Sequence, residues 1–144
     1  MQLRLARIEE LGELEDLQRR ASLALDEYRE ALLAHPEAIA VPAAQVERGQ
    51  VVVAEIDGRI AGFTVVLDQD GMAELDGLFV EPDLWRQGIG SALIEKAIHD
   101  ARSRGLSLMT VVANPGAKEF YERCGFTVEG SAETRFGPAL RMSR

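Results

Sequence analysis

Two glycines at the junction between an apolar run and a helical pattern form an arrangement that can bind an anion. The apolar run ends at Val80, a Pro-Asp turn follows at residues 82–83, and Gly88 and Gly90 open a segment of helical periodicity. Glycine lets a backbone approach an anion closely, because it has no Cβ. The first N–H groups of a helix lack intrahelical acceptors, and the helix dipole adds to the attraction. The spacing therefore predicts a backbone cradle for a diphosphate.

Two common glycine motifs do not fit this loop. A Walker A loop requires Gly-Lys-Ser/Thr, whereas Gly90 is followed by Ser91 and Ala92. A dinucleotide fingerprint requires a third glycine three residues after the second, where this chain has Leu93. The loop is therefore expected to bind a diphosphate ligand of another kind.

A second cluster of chemically capable residues follows a later apolar run. Residues 108–112 predict a strand, Asn114 comes directly after it, and Tyr121 lies in the helix expected next. The Asn114 amide offers donors and an acceptor to a ligand. Asn-Pro-Gly is also a strong turn signal, so a turn role for Asn114 stays open.

Taken together, the two clusters resemble the Gcn5-related N-acetyltransferases. That family combines a strand, a Gly-x-Gly helix start, and an Asn followed by Ala-x-x-Phe-Tyr-x-x-x-Gly-Phe, which this chain has at residues 114–126. The resemblance runs from about Val51 to the end of the chain. It implies an α/β (α+β) fold, a mixed and mostly antiparallel sheet flanked by helices, in one domain over residues 1–144.

The resemblance also implies an activity: acetyl-CoA donates its acetyl group to a primary amine of a small molecule or peptide, by direct attack in a ternary complex. No metal is expected, because two His and one Cys have no metal-ligand spacing. Two alternatives stay open: a non-catalytic acyl-CoA-binding sensor, and transfer of a different acyl group. A homodimer also stays open.

The resemblance places the cofactor on a defined set of residues. The strand before the loop is expected to present its backbone to the pantetheine as an added strand would. Asn114 would hold the pantetheine or tie the sheet to the following helix, and for Arg86 and Lys118 a solvated surface charge is an equal alternative. The expected cofactor-binding residues are Leu78, Phe79, Val80, Arg86, Gln87, Gly88, Ile89, Gly90, Ser91, Asn114, Lys118 and Tyr121.

Trp85 is a departure from the family pattern. The family usually has Arg or Gln three residues before the first glycine, and here Trp85 stands there, with Arg86 and Gln87 next. Backbone amides do most of the phosphate binding, so the cradle is expected to survive the change. Trp85 is expected to cover apolar surface rather than to stack on the cofactor.

Acyl transfer needs a base for the ammonium group and an acid for the departing thiolate. Glu74 and Asp76 share one face of the strand. When two carboxylates lie so close together, the pKa of one can rise into the range in which it acts as a base. Glu74 is the first choice, because histone-acetylating relatives carry an Ala-Glu pair at this offset, and Asp76 is the second. Water as the base, or pairing of both carboxylates with surface cations, stays open.

Tyr121 is expected to be the general acid, since its position matches the tyrosine that reaches the cofactor sulfur in many relatives. The alternative is a packing role in the core with a satisfied hydroxyl.

Composition restricts the compartment and the partners. With 144 residues and 47% hydrophobic side chains, the chain is long enough for one domain with a core. It has no apolar stretch near the roughly 18 residues of a membrane span, no apolar signal core, and only Cys124, so a cytoplasmic protein without membrane contact is expected. The net charge of −8 disfavours nucleic acid. Acidic residues in the segment expected to shape the acceptor pocket favour a cationic amine: Asp26, Glu27, Glu30 and Glu37.

The elements that must position these groups follow from periodicity and turn signals. A first strand at Leu3 and Leu5 and helical pieces up to His35 precede a hairpin over residues 51–67, turned at Asp57-Gly58. After a third run, residues 72–80, the glycine helix is expected to bury one face and end at Gly105. The last two strands are expected at residues 126–129 and 139–142. The buried face is predicted to consist of Leu93, Ile94, Ala97, Ile98 and Ala101.

Overall fold

The computed structural model describes the backbone of residues 1–144 and the side chains of residues 1–25 and 29–144. The helices are α1 (Leu11–Leu23), α2 (Asp26–Ala34), α3 (Ala43–Glu47), α4 (Ile89–Ser103) and α5 (Lys118–Arg123). The strands are β1 (Gln2–Leu5), β2 (Val51–Ile56), β3 (Arg59–Gln69), β4 (Met72–Val80), β5 (Met109–Ala113), β6 (Thr127–Thr134) and β7 (Gly137–Ser143).

The seven strands form one sheet in the order β1-β2-β3-β4-β5-β7-β6. The β4 and β5 strands are parallel, with Ala73, Glu74 and Leu75 opposite Met109, Thr110 and Val111. The pairs β1–β2, β2–β3, β5–β7 and β6–β7 are antiparallel. The predicted fold class, a mostly antiparallel sheet with helices, is confirmed.

The chain divides into two compact units. The first comprises residues 1–65 and 77–93, and the second comprises residues 66–76 and 94–144. The expectation of one domain over residues 1–144 stays a prediction.

The first unit has a core between the β2–β3 hairpin and the start of α4. The hairpin turns through Asp57 and Gly58 at φ values of 51° and 77°, and two positive φ angles are what a type I′ turn requires. The predicted hairpin is therefore confirmed. The core consists of Val52, Ala54, Ala61, Ile89 and Leu93, with Leu3, Ile56, Leu78, Val80 and Leu84 packed against it.

A partly buried ion-pair cluster fixes the first strand in this unit. Arg4 donates to Glu10 and to Glu55, both at 2.9 Å. The Arg4 guanidinium holds the pKa of Glu10 below its ordinary value, so Glu10 stays charged when buried. That contribution to stability is present above the ordinary pKa of a glutamate and is lost as the pH falls through the lowered one.

The second unit buries the remaining predicted face of α4, namely Ile94, Ala97, Ile98 and Ala101. The chain leaves the helix through Gly105, whose φ is 85°, as expected for a left-handed C-terminal glycine. The last two strands are longer than predicted, because pairing between β6 and β7 extends from Thr127 to Thr134 although most of β6 is exposed. Tertiary pairing outweighs the weak local pattern there.

Helix α3 was not predicted, since its five residues give too short a periodicity to recognise. Among the residues that the structure describes, no helix is long and apolar enough to cross a membrane.

Gly62 on β3 generates a prediction about packing. A Cβ at Gly62 would lie 2.8 Å from the Phe79 carbonyl oxygen and 3.2 Å from Val80 Cγ2, so backbone would have to move. We expect Gly62→Ala to lower the free energy of unfolding by roughly 1–3 kcal/mol in urea titrations. Gly130→Ala is the matched control, because a Cβ there meets nothing within 4 Å. Equal midpoints for both variants would contradict the close approach.

Candidate functional site

The end of β4 in the first unit exposes one edge of backbone groups. Glu81 N–H donates to the Ala61 carbonyl at 2.8 Å, and the Gly77 carbonyl accepts from Thr64 Oγ1 at 2.9 Å. Successive residues of a strand direct their N–H and C=O groups to alternate edges. Since residues 77 and 81 face β3, Leu78 and Val80 direct their backbone groups to the opposite edge.

A buried carboxylate anchors the turn that follows. Glu81 is 4% exposed and accepts from Arg20 Nε at 3.2 Å, with a second, shorter contact from Arg20 Nη2. Arg59 lies 3.6 Å from Glu81 and 3.1 Å from Asp83. The hydrogen bond with Glu81 raises the pKa of Arg20 above its ordinary value. Residues of α1 and β3 thus fix the start of the glycine loop.

Trp85 forms a second anchor within the loop. Its indole Nε1–H donates to the Val80 carbonyl at 2.7 Å, although the residue is 39% exposed. The sequence predicted a surface-covering role and did not indicate this hydrogen bond. Leu84, just before it, packs against the core of the first unit.

The backbone then turns into α4 through two left-handed residues. Arg86 and Gly88 have φ values of 66° and 83°. The first helical bond runs from Ala92 N–H to the Gly88 carbonyl at 3.0 Å, so the N–H groups of Ile89 and Gly90 have no acceptor within the helix. Such groups at a helix N-terminus are suited to bind a phosphate.

The predicted carboxylates lie in the second unit, on β4. Ala73 and Leu75 are buried, while Glu74 is half-buried and Asp76 is exposed, so the two carboxylates share a face as predicted. No residue that the structure describes forms a hydrogen bond or ion pair with either side chain. Neither carboxylate is therefore committed to a structural pairing there, and a role in proton transfer stays a prediction.

The second unit also contains the Asn and Tyr of the later cluster. Asn114 Oδ1 accepts from Gly116 N–H at 3.1 Å, so the turn role left open by the sequence is present. Tyr121 in α5 is 8% exposed, with edge-to-face rings of Phe120 and Phe126 at 5.2 and 5.5 Å. Lys118 is exposed at the start of α5.

Sequence reasoning missed the anchoring network of Arg20, Arg59 and Glu81. The available signal was an acidic residue between an apolar strand and Pro82, a position at which burial of the carboxylate requires a cationic partner. Among the described side chains, no group of three His, Cys, Asp or Glu residues is placed to hold a metal ion.

Comparisons with known proteins identify the family. The model of the acetyltransferase (GNAT) family matches residues 10–126. An uncharacterised N-acetyltransferase of Methanocaldococcus jannaschii is 40% identical over 84 residues, which are 51% of this chain and 37% of that protein. The 5-NmdU N-acetyltransferase of Pseudomonas phage PaMx11 is 34% identical over 67% of this chain and 71% of its own length.

A solved structure gives the same fold. The PaiA N-acetyltransferase of Thermoplasma acidophilum, in complex with coenzyme A, superposes with a TM-score of 0.83 over 99% of this chain and 97% of that chain, at 22% identity. The strand order, the glycine-opened helix and the family match over residues 10–126 agree, and the chain belongs to the acetyltransferase (GNAT) family.

Proposed function

We propose that the protein is an acetyl-CoA-dependent N-acetyltransferase that transfers the acetyl group to a primary amine of a small-molecule or peptide acceptor. The observation that carries this proposal is the start of α4, where the N–H groups of Ile89 and Gly90 lack helical acceptors. Coenzyme A offers a diphosphate that such groups bind, and an amide-containing arm that can pair with a strand edge. The same family and a CoA-bound relative of the same fold support it.

The proposed cofactor contacts fall along β4 and the loop after it. The diphosphate would accept from the N–H groups of residues 88–91, beside the left-handed Arg86. The pantetheine arm would pair with the edge at which Leu78 and Val80 direct their backbone groups. For Gln87, Asn114 and Lys118 the proposal rests on the family motif alone.

The proposed chemistry is direct attack of a neutral amine on the thioester carbon, which breaks the carbon–sulfur bond and releases CoA thiolate. Glu74 is the first choice to remove the proton of the ammonium form, and its lack of a described partner supports this over a surface ion pair. Asp76 and water are the alternatives. Tyr121 would give its phenolic proton to the thiolate and recover one from solvent.

The acceptor is the least constrained part of the proposal. Among the four acidic residues predicted to favour a cation, Asp26 and Glu27 lie outside the described side chains, Glu30 is exposed, and Glu37 lies 3.3 Å from His35. We propose a small cationic amine as the acceptor class, on charge alone. A cytoplasmic location, a homodimer and the exclusion of nucleic acid stay predictions.

Two alternatives remain distinct from the main proposal. A non-catalytic acyl-CoA sensor would bind the cofactor without turnover. A transferase of another acyl group would release thiol from a longer thioester. Thiol release from acetyl-CoA, screened with amino acids, polyamines, aminoglycosides and peptide N-termini, separates both from an acetyltransferase.

Cofactor binding gives the first functional prediction. Acetyl-CoA at a hundred times its Kd should stabilise the protein by about 2.7 kcal/mol and raise the thermal midpoint, whereas NAD and ATP should not. Gly90→Val should abolish the shift, because a branched side chain at the second helical residue blocks the phosphate. Gly12→Val is the matched control at the second residue of α1, where a Cβ meets nothing within 4 Å. An acetyl-CoA shift retained in Gly90→Val would place the diphosphate elsewhere.

The acid and the base are separated by two conservative substitutions. Tyr121→Phe keeps the aromatic packing and removes only the hydroxyl, so kcat should fall roughly 10- to 100-fold with acetyl-CoA affinity unchanged. Glu74→Gln should flatten the acidic limb of the rate–pH profile, on which a base must lose its proton before the rate rises. A limb that persists in Glu74→Gln and disappears in Asp76→Asn would move the role to Asp76.

The acceptor proposal is tested by charge. For a cationic amine, kcat/KM should fall severalfold as ionic strength rises from low to physiological values, because salt screens the attraction between the amine and the acidic residues. Glu27→Lys and Glu30→Lys should lower kcat/KM at low salt. Glu133→Lys on β6 carries the same change in net charge and serves as the control. If kcat/KM fell equally in all three variants, the effect would come from the net charge of the protein and not from the acidic residues near the acceptor.

A further inference from the structure

We propose that Trp85 is a positioning residue for the cofactor: its indole N–H replaces a strand partner at the end of β4 and holds the glycine loop in the shape that binds the diphosphate. This inference rests on the proposed function. It concerns the position at which the chain departs from the family, so it does not follow from the family motif.

The hydrogen bond occupies a specific backbone group. Val80 is the last residue of β4, and its carbonyl is directed to the strand edge opposite β3. The Trp85 indole N–H donates to that carbonyl at 2.7 Å. An indole N–H is a donor only, so it can hold this carbonyl without accepting from any N–H group of the cradle.

The loop has fixed points on both sides of its turn. Glu81 is held by Arg20, and Leu84 is held by the core of the first unit. Trp85 closes the loop back onto the strand that it left. All three anchors precede the first residue expected to meet the diphosphate.

The backbone conformation of the next residue explains the need for this hydrogen bond, which we call the Trp85 clamp. Arg86 adopts a φ of 66°, a conformation that non-glycine residues disfavour. The Trp85 hydrogen bond holds this turn before any ligand arrives, so the loop loses less conformational entropy when it binds.

The test compares two acyl donors that differ in the diphosphate. Trp85→Phe keeps an aromatic ring and removes the N–H donor. We expect its KM for acetyl-CoA to rise roughly three- to tenfold, the value of one neutral hydrogen bond. Its KM for S-acetylpantetheine, which lacks the diphosphate, and its kcat with saturating acetyl-CoA should be unchanged. Incorporation of 3-benzothienylalanine at position 85 preserves the bicyclic shape without the N–H and should reproduce the result.

Three outcomes decide the matter. A selective loss toward acetyl-CoA in both variants supports the clamp. An equal loss toward both donors, or no loss toward acetyl-CoA, overturns it and leaves Trp85 as a packing residue. If the wild-type protein bound neither donor in calorimetry, the result would contradict the proposed function itself, and the Trp85 proposal would fail with it.

Discussion

The cradle of this protein depends on one constraint: the first amides of α4 can bind an anion only if the chain before them is held still. A helix start by itself is common. Here Ile89 and Leu93 are buried in the core of the first unit, so the helix start cannot rotate about its axis. Glu81 and Trp85 then fix the loop that leads to it. Because the groups proposed to bind the ligand belong to the backbone, their rigidity rather than side-chain identity would determine whether they bind it.

The buried carboxylate of Glu81 explains why the loop is anchored so firmly. A buried charge that loses its partner costs several kcal/mol, so the turn cannot open without separating Glu81 from a cation. Arg20 comes from α1 and Arg59 from the start of β3, and the side chains of both are about half exposed. Water can reach these cations, but it cannot hydrate the buried Glu81 carboxylate if that carboxylate loses them. The ion pair therefore fixes the loop's position, because the carboxylate must keep a cationic partner.

Local features could be predicted from the sequence and distant ones could not. The Asp57-Gly58 turn and the buried face of α4 depend on residues adjacent in the chain or one turn apart, and both predictions were confirmed. Arg20 and Glu81 are 61 residues apart, and no periodicity relates them. The Trp85 hydrogen bond spans only five residues, but it depends on which edge Val80 faces, and pairing with β3 determines that. The full lengths of β6 and β7 likewise depend on their pairing with each other.

The same distinction between local and distant features separates the proposed binding of the cofactor from the proposed proton transfer. Diphosphate binding needs glycines and a helix start, and the sequence encodes these in a few consecutive residues. Proton transfer needs particular side chains in particular surroundings. Tyr121 is packed between two aromatic rings, which preserve its position if the hydroxyl is removed. Glu74 has no described partner, so its surroundings do not commit its charge to a structural role. On the proposed mechanism, a chain of this kind can keep its cradle while its acceptor changes, because the backbone groups proposed to hold the donor are independent of the side chains proposed to meet the amine.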